Sequence, residues 1–431
     1  MKKEVTRGSM TSIQRRNFRI NVTEGALFVA GGAFISSQTV LPALVAKLGG
    51  SNVAVGSVAV ILWVGLFLPQ IFSARVVETL CWKKPWAIRF GAIQRVIVLL
   101  MGVLVLLFGA DRPGLALAGF LTLFALNQIM LGVTTPGWFD LFAKVTPPTR
   151  RGRLVGTRNS IGGVAAFFCG LVLTWLLATL EFPLSFGIAF FCAFILQLGS
   201  IIVQFKLVEE EPSVVRGQRP ISRFLRDLPR IVQGNREFRE FLVASAFLVL
   251  ATMPVGFFTV YGLKEFNADE SAVGTFTLVM VAIQVVSAIV NGHIADHYGH
   301  KVALVCAATS MFCASVWALV APSLAWFTLV YMFLGVNLGS ELMIRYNMSI
   351  EYGPIAQRPT YVGLMNTVLA PLYLSSLAGA WISDLLGYKT VFLTGSIFSV
   401  IGIAYLVTRV KDPRTIATAL VPPNPQPSKV E

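Results

Sequence analysis

The sequence predicts an all-α membrane protein with 12 transmembrane helices in two parallel six-helix repeats. Three observations predict it. Of 431 residues 55% are hydrophobic and only 13% charged, with a mean hydropathy of +0.72, a balance that soluble domains do not tolerate. Twelve apolar runs of about twenty residues follow one another, the length a helix needs to cross a bilayer. Short residue patterns also recur between the two halves, as a duplicated six-helix unit would leave them.

Residues 1–24 are polar and basic, with Lys2, Lys3, Arg7, Arg15, Arg16 and Arg19, and read as a cytoplasmic N-terminal segment. The first six runs, at 25–44, 53–73, 86–108, 115–138, 155–180 and 183–205, make an N-terminal half over 25–205. A polar linker, 206–239, carries Ile221, Phe224, Leu225, Leu228, Ile231 and Val232 at helical spacing with arginines between them. It reads as an amphipathic helix on the membrane surface, shortened or kinked at Pro229. Six more runs, at 240–263, 271–295, 302–320, 324–346, 360–385 and 388–408, make the C-terminal half over 240–408, and the proline-rich tail 409–431 reads as disordered and cytoplasmic. Pro69, Pro136, Pro254 and Pro371 read either as kinks in moving helices or as packing residues.

Net charge is +14, and most of the 35 Lys and Arg fall on the side shared by both termini. Topology accounts for that excess, so both termini are expected in the cytoplasm and no nucleic-acid partner is expected. The five cysteines are scattered without a Cys-x-x-Cys spacing and read as packing residues. There is no phosphate-binding Gly-x4-Gly-Lys loop and no nucleophile–base constellation, so neither an enzyme nor a cofactor is expected.

Between the eighth and ninth runs stands Gly292-His-Ile-Ala-Asp296-His-Tyr-Gly299-His-Lys301, a polar turn flanked by glycines. At a constant offset the first half carries a worn copy, with Ala74, Glu78, Cys81 and Lys83 in the corresponding places, and Ala54-Val-Gly56 recurs as Ala272-Val-Gly274. A further pattern, Arg151-x4-Gly156-x2-Asn159, matches Arg358-x4-Gly363-x2-Asn366. The Gly-x-x-x-Asp-x-x-Gly-x-Lys pattern resembles the signature loop of the major facilitator superfamily of secondary transporters, and the resemblance covers nearly the whole chain. It implies alternating access to a cavity between two rocking halves. It also implies a gating motif in Gly292, Asp296, Gly299 and Lys301, with Glu78 and Lys83 as the weaker copy. Asp296 would then latch onto the start of the fifth helix near Arg153, and Glu78 onto the start of the eleventh. A bacterial inner-membrane location follows from the same resemblance, with a poorly characterised prokaryotic branch as the nearer kin.

Ionisable groups in an apolar medium are costly and mark candidate pathways. Arg95, well inside the third helix, reads as a counter-ion for an anionic solute or a partner for a proton-carrying acid, and equally as a structural pair or a snorkelling side chain. Asn337, Glu341 and Arg345 share one face of the tenth helix, where Glu341 is a candidate proton carrier or one half of a structural salt bridge. Gln38, Asn127, Gln128, Gln284 and Asn366 are neutral candidates for solute contact or for bridging helices. All three histidines fall in the motif, and His293 and His297 would share a metal only if the helix runs on that far; no metal site is expected.

The resulting expectation is a monomeric secondary transporter for a small solute, leaning towards proton-linked export, in contact with protons and membrane lipids. A non-transporting scaffold or regulator with this fold, and a translocator of lipids or lipid conjugates, are the alternatives.

Overall fold

A computed structural model describes residues 10–213, 230–354 and 358–413. Among these residues there are helices and no strands. Eleven helical stretches are long and apolar enough to cross a membrane, and a broken helix ahead of them brings the spans to twelve. In order the spans are Ser12–Ala33 with Val40–Lys47, Asn52–Glu78, Lys84–Phe108, Pro113–Val145, Arg151–Thr179 and Leu184–Gln204, then Arg236–Ala251 with Val255–Glu265, Ser271–Tyr298, His300–Val320, Leu324–Phe327 with Leu329–Tyr352, Arg358–Leu369 with Ser375–Leu386, and Tyr388–Arg409. Twelve passes return the chain to the face on which it began, called here the terminal face; the opposite one is the far face. The expected linker helix lies almost wholly outside the described residues, as does the tail from 414 onward.

The first span differs from expectation. It starts at Ser12, where Thr11 caps it with its hydroxyl on the Gln14 N–H and Gln14 reciprocates. Hydropathy placed the start at the first apolar residue, but Asn17, Asn21 and Glu24 are buried in the bundle. Asn17 is satisfied there: its Nδ2 donates to the Val208 carbonyl at 2.8 Å and its Oδ1 accepts from the Val208 N–H at 3.0 Å. The span also breaks between Ala33 and Val40. Pro42 has no N–H to offer the carbonyl of Gln38, which accepts instead from Thr259 Oγ1 of the seventh span at 3.0 Å. Pro254 and Pro371 mark the corresponding breaks in the seventh and eleventh spans, the latter a 3-10 segment over Ala370–Leu374. The helices carrying Pro69 and Pro136 run through them.

Within the first half the fourth span packs on the second and third, and the first on the fifth and sixth; in the second half the tenth packs on the eighth and ninth, and the twelfth on the seventh and ninth. The halves meet chiefly along two pairs, fifth with eighth and second with eleventh, and the broken first span also touches the seventh and eighth. Phe168, Trp175, Ile195 and Trp381 each expose 60% or more of their surface, as side chains facing lipid do.

Candidate functional site

The eighth span continues through the motif to Tyr298. Gly299 then turns the chain at φ +97°, a conformation that favours glycine, and the ninth span starts at once. A Cβ on Gly299 would also collide with the carboxylate of Asp412, just beyond the twelfth span. That carboxylate accepts the Lys301 N–H at 3.0 Å, while Lys301 Nζ donates to the Val407 carbonyl at 2.8 Å. The motif and the segment that ends the twelfth span are thus tied together, with an anion at a helix N-terminus where the backbone N–H groups are otherwise unpaired. His293 and His297 are exposed with ring centroids 3.9 Å apart.

The first half repeats the arrangement. Glu209, just beyond the sixth span, accepts the Lys83 N–H at 2.9 Å and the Lys84 N–H at 3.0 Å, and pairs with Lys144 Nζ at 2.7 Å. Lys83 is buried, its Nζ on the Val77 carbonyl and 3.8 Å from Asp140; Glu78 is exposed. Sequence reasoning missed Glu209 and Asp412. Their signal is a shared position: each lies two residues after a fully covered apolar residue, Leu207 or Val410, that leaves the last helix of its half.

A buried polar cluster occupies the first half towards the terminal face. Arg95 directs its N–H groups at neutral acceptors: Nε at the Gln197 carbonyl (3.3 Å), Nη1 at the Gly91 carbonyl (3.0 Å) and Gln94 Oε1 (2.8 Å), Nη2 at Ser200 Oγ (3.3 Å). Ser200 in turn donates to Glu24 at 3.4 Å, and Glu24 pairs with Arg158 Nη2 at 3.3 Å. By sequence Glu24 falls in the N-terminal segment and Arg158 does not stand out, because hydropathy averages over single charges. Arg158 lies across the first span at Gly25, where any Cβ would overlap it, and its guanidinium sits 4.4 Å over the Trp138 ring.

The second half carries its own cluster. Asn337 Nδ2 donates to Glu341 Oε2 at 2.8 Å, and Arg345 Nε lies 3.4 Å from Glu341 Oε1. All three residues are buried, and the shared face expected of them is present. Arg345 Nη2 donates to Tyr373 Oη at 3.4 Å, and Asn366 hydrogen-bonds Tyr346. Asn127 and Asn337 do the same job in the two halves: Asn127 Nδ2 reaches the Gln94 carbonyl of the third span (3.1 Å), Asn337 Nδ2 the Ala307 carbonyl of the ninth (3.0 Å). Gln128 Nε2 donates to Asn127 at 3.3 Å. Gln284 is half-buried, its carbonyl set against Gly339 of the tenth span, and Gln38 sits in the break of the first span.

The seam between fifth and eighth spans changes along its length. The spans run antiparallel, and glycines let them touch: a Cβ on Gly274 would meet Thr174, one on Gly170 would meet Leu278, and one on Gly163 would meet Val285. Seven residues, about two turns, further in the same register stand Gly156 and Gly292, and both face open space. Gly292 is on the same face as Gly274, eighteen residues or about five turns away. The seam is closed at the far face and at mid-depth and open at the terminal face. Polar contacts between the halves reinforce the far side: Thr39 with Thr277 (2.6 Å), Asn52 Nδ2 to Asp384 (2.6 Å), Tyr388 Oη to Asn52 (2.6 Å), and the Lys47–Glu270 ion pair.

The family model for the Major Facilitator Superfamily matches residues 241–428. No curated protein matches the sequence significantly. Solved structures similar to the whole chain include the nucleoside transporter NupG (TM-score 0.69, 11% identity, covering 93% of this chain and 100% of that one). A D-xylose–proton symporter is similar at TM-score 0.68 and 13% identity, covering 94% and 99%. A bacterial homologue of the human lysosomal transporter Spinster, in an inward-facing conformation, is similar at 0.67 and 14%, covering 96% and 100%. The chain thus shares the fold of these transporters along its whole length, and its second half matches the family model of the Major Facilitator Superfamily.

Proposed function

We propose that this protein is a secondary active transporter that moves a small solute by alternating access, captured here open towards the terminal face. The observation that carries the reading is the fifth–eighth seam, tight from the far face to mid-depth and parted at Gly156 and Gly292. Two rigid six-helix bodies that part at one end and meet at the other form a rocking pair. With both termini in the cytoplasm of a bacterial inner membrane, the open side is the cytoplasmic one.

Closure would bring Gly156 onto Gly292 and, one turn further along the same face of the eighth span, Asp296 onto the beginning of the fifth. There the helix dipole stabilises a carboxylate by about 0.3 to 1 kcal/mol, and Arg153 adds charge. Asp296→Asn is expected to insert normally and to lose most transport; unchanged flux would sink the latch. Each half also holds a buried carboxylate against an arginine, Glu24 with Arg158 and Glu341 with Arg345, which supports proton coupling. Flux of a solute panel in proteoliposomes, with and without an imposed pH gradient, tests the reading. A gradient-dependent flux supports it; no flux of any solute favours the scaffold.

A further inference from the structure

One residue joins the buried ion pair of the second half to the surface of the first. Tyr373 lies in the 3-10 break of the eleventh span and is buried. Its ring stacks on Trp63 of the second span, with centroids 4.9 Å apart and planes 19° from parallel, and lies 6.4 Å from Phe67. Its hydroxyl meets Arg345, Arg345 meets Glu341, and Glu341 is held by Asn337, which is itself anchored on the ninth span. The chain of contact therefore runs without interruption from Trp63 in one half to Glu341 inside the other.

The geometry along that chain is loose at its centre. Arg345 Nη1 and Nε and Glu341 Oε1 are buried with no well-directed hydrogen bond, and the distances on either side of the guanidinium are both 3.4 Å. Arg345 is shared between two acceptors and saturated by neither. The titratable and charged groups around Glu341 are Arg345 and, beyond it, Tyr373 and Tyr346. The ninth span offers the Ala307 carbonyl to Asn337, and on the eighth Asn291 donates to Ser340 of the tenth and to its own neighbour Ser287, which donates to the Val336 carbonyl.

Resting on the alternating-access reading, we infer that Tyr373 is a positioning residue that links the meeting of the second and eleventh spans to the charge on Glu341. An ionised Glu341 draws Arg345 to itself and away from the tyrosine hydroxyl. A neutral Glu341 leaves Arg345 to Tyr373 and so favours the ring position stacked on Trp63. Linkage is reciprocal, so displacing Tyr373 when the halves rock must return Arg345 to Glu341. The 3-10 break makes this feasible, because it frees the ring-bearing turn from the rigid ladder of the helices on either side.

The test uses the purified full chain in lipid nanodiscs and needs no solute. The difference between the tryptophan emission of the wild type and of Trp63→Phe isolates Trp63, and it is followed as pH is lowered. A step in that difference signal is expected in the wild type, lost in Glu341→Gln and lost in Tyr373→Phe. The phenylalanine keeps the stacked ring and removes only the hydroxyl, and unchanged thermal unfolding would verify that the variant is folded. A wild type without a step, or a step that survives in either variant, overturns the inference. Because transport is not measured, failure here is distinct from failure of the transporter reading.

Discussion

Arg158 shows how much a single glycine decides. Its side chain crosses the first span only because Gly25 has no Cβ, and from there it reaches Glu24 and the face of Trp138. Removing one partner of a buried ion pair leaves an uncompensated charge and costs on the order of 3–5 kcal/mol, whereas replacing both with apolar residues of similar volume is often neutral. Glu24→Leu and Arg158→Met are therefore each expected to lower the unfolding temperature sharply in detergent, and the double variant to recover most of the loss. Gly25→Val is expected to behave like the single variants although it touches no charge. None of this was legible in the sequence: Glu24 stood at the edge of a basic segment, and a glycine near the start of an apolar run has many meanings. The Asn337–Glu341–Arg345 face was legible, because helical spacing alone puts those residues together.

At the scale of elements, the two carboxylates that follow the last helix of each half are the clearest product of the duplication. Glu209 on Lys83 and Asp412 on Lys301 cap the third and ninth spans from outside their own sequence neighbourhood. Loss of a helix cap costs about 1 kcal/mol. Asp412→Ala is accordingly expected to cost about that much stability and to speed amide exchange at Lys301, with the same effect at Lys83 and Lys84 for Glu209→Ala. Gly299→Ala should cost more, since it combines a positive φ with a collision against Asp412. The motif's turn was visible in the sequence as glycine and charge, but its partner lies more than a hundred residues away, and only folding brings it there.

For the whole molecule, the open end of the fifth–eighth seam is a statement about the other conformation. If the halves rock, Gly156 and Gly292 must approach as closely as Gly163 and Val285 do now. A disulfide needs Cα atoms about 4.4 to 6.8 Å apart. In a background with the five native cysteines replaced, Gly156→Cys with Gly292→Cys is expected to cross-link on oxidation and to stop flux until reduced. A pair that never cross-links would argue against closure in this register. Conversely Gly163→Leu should wedge the seam at mid-depth and depress flux without preventing insertion.

By itself the sequence determined the membrane-spanning character, the number of spans and the family likeness, because hydropathy and a repeated motif are properties of residues in order. Tertiary structure decided where the first span begins, since Asn17 and Glu24 read as solvent-facing until neighbouring helices supply their partners. It also decided which glycines meet the opposite half and which face open space, and it brought Tyr373 between Trp63 and Arg345. Those facts depend on how separate helices are set against each other, and contact between residues far apart in the chain leaves no local pattern to read.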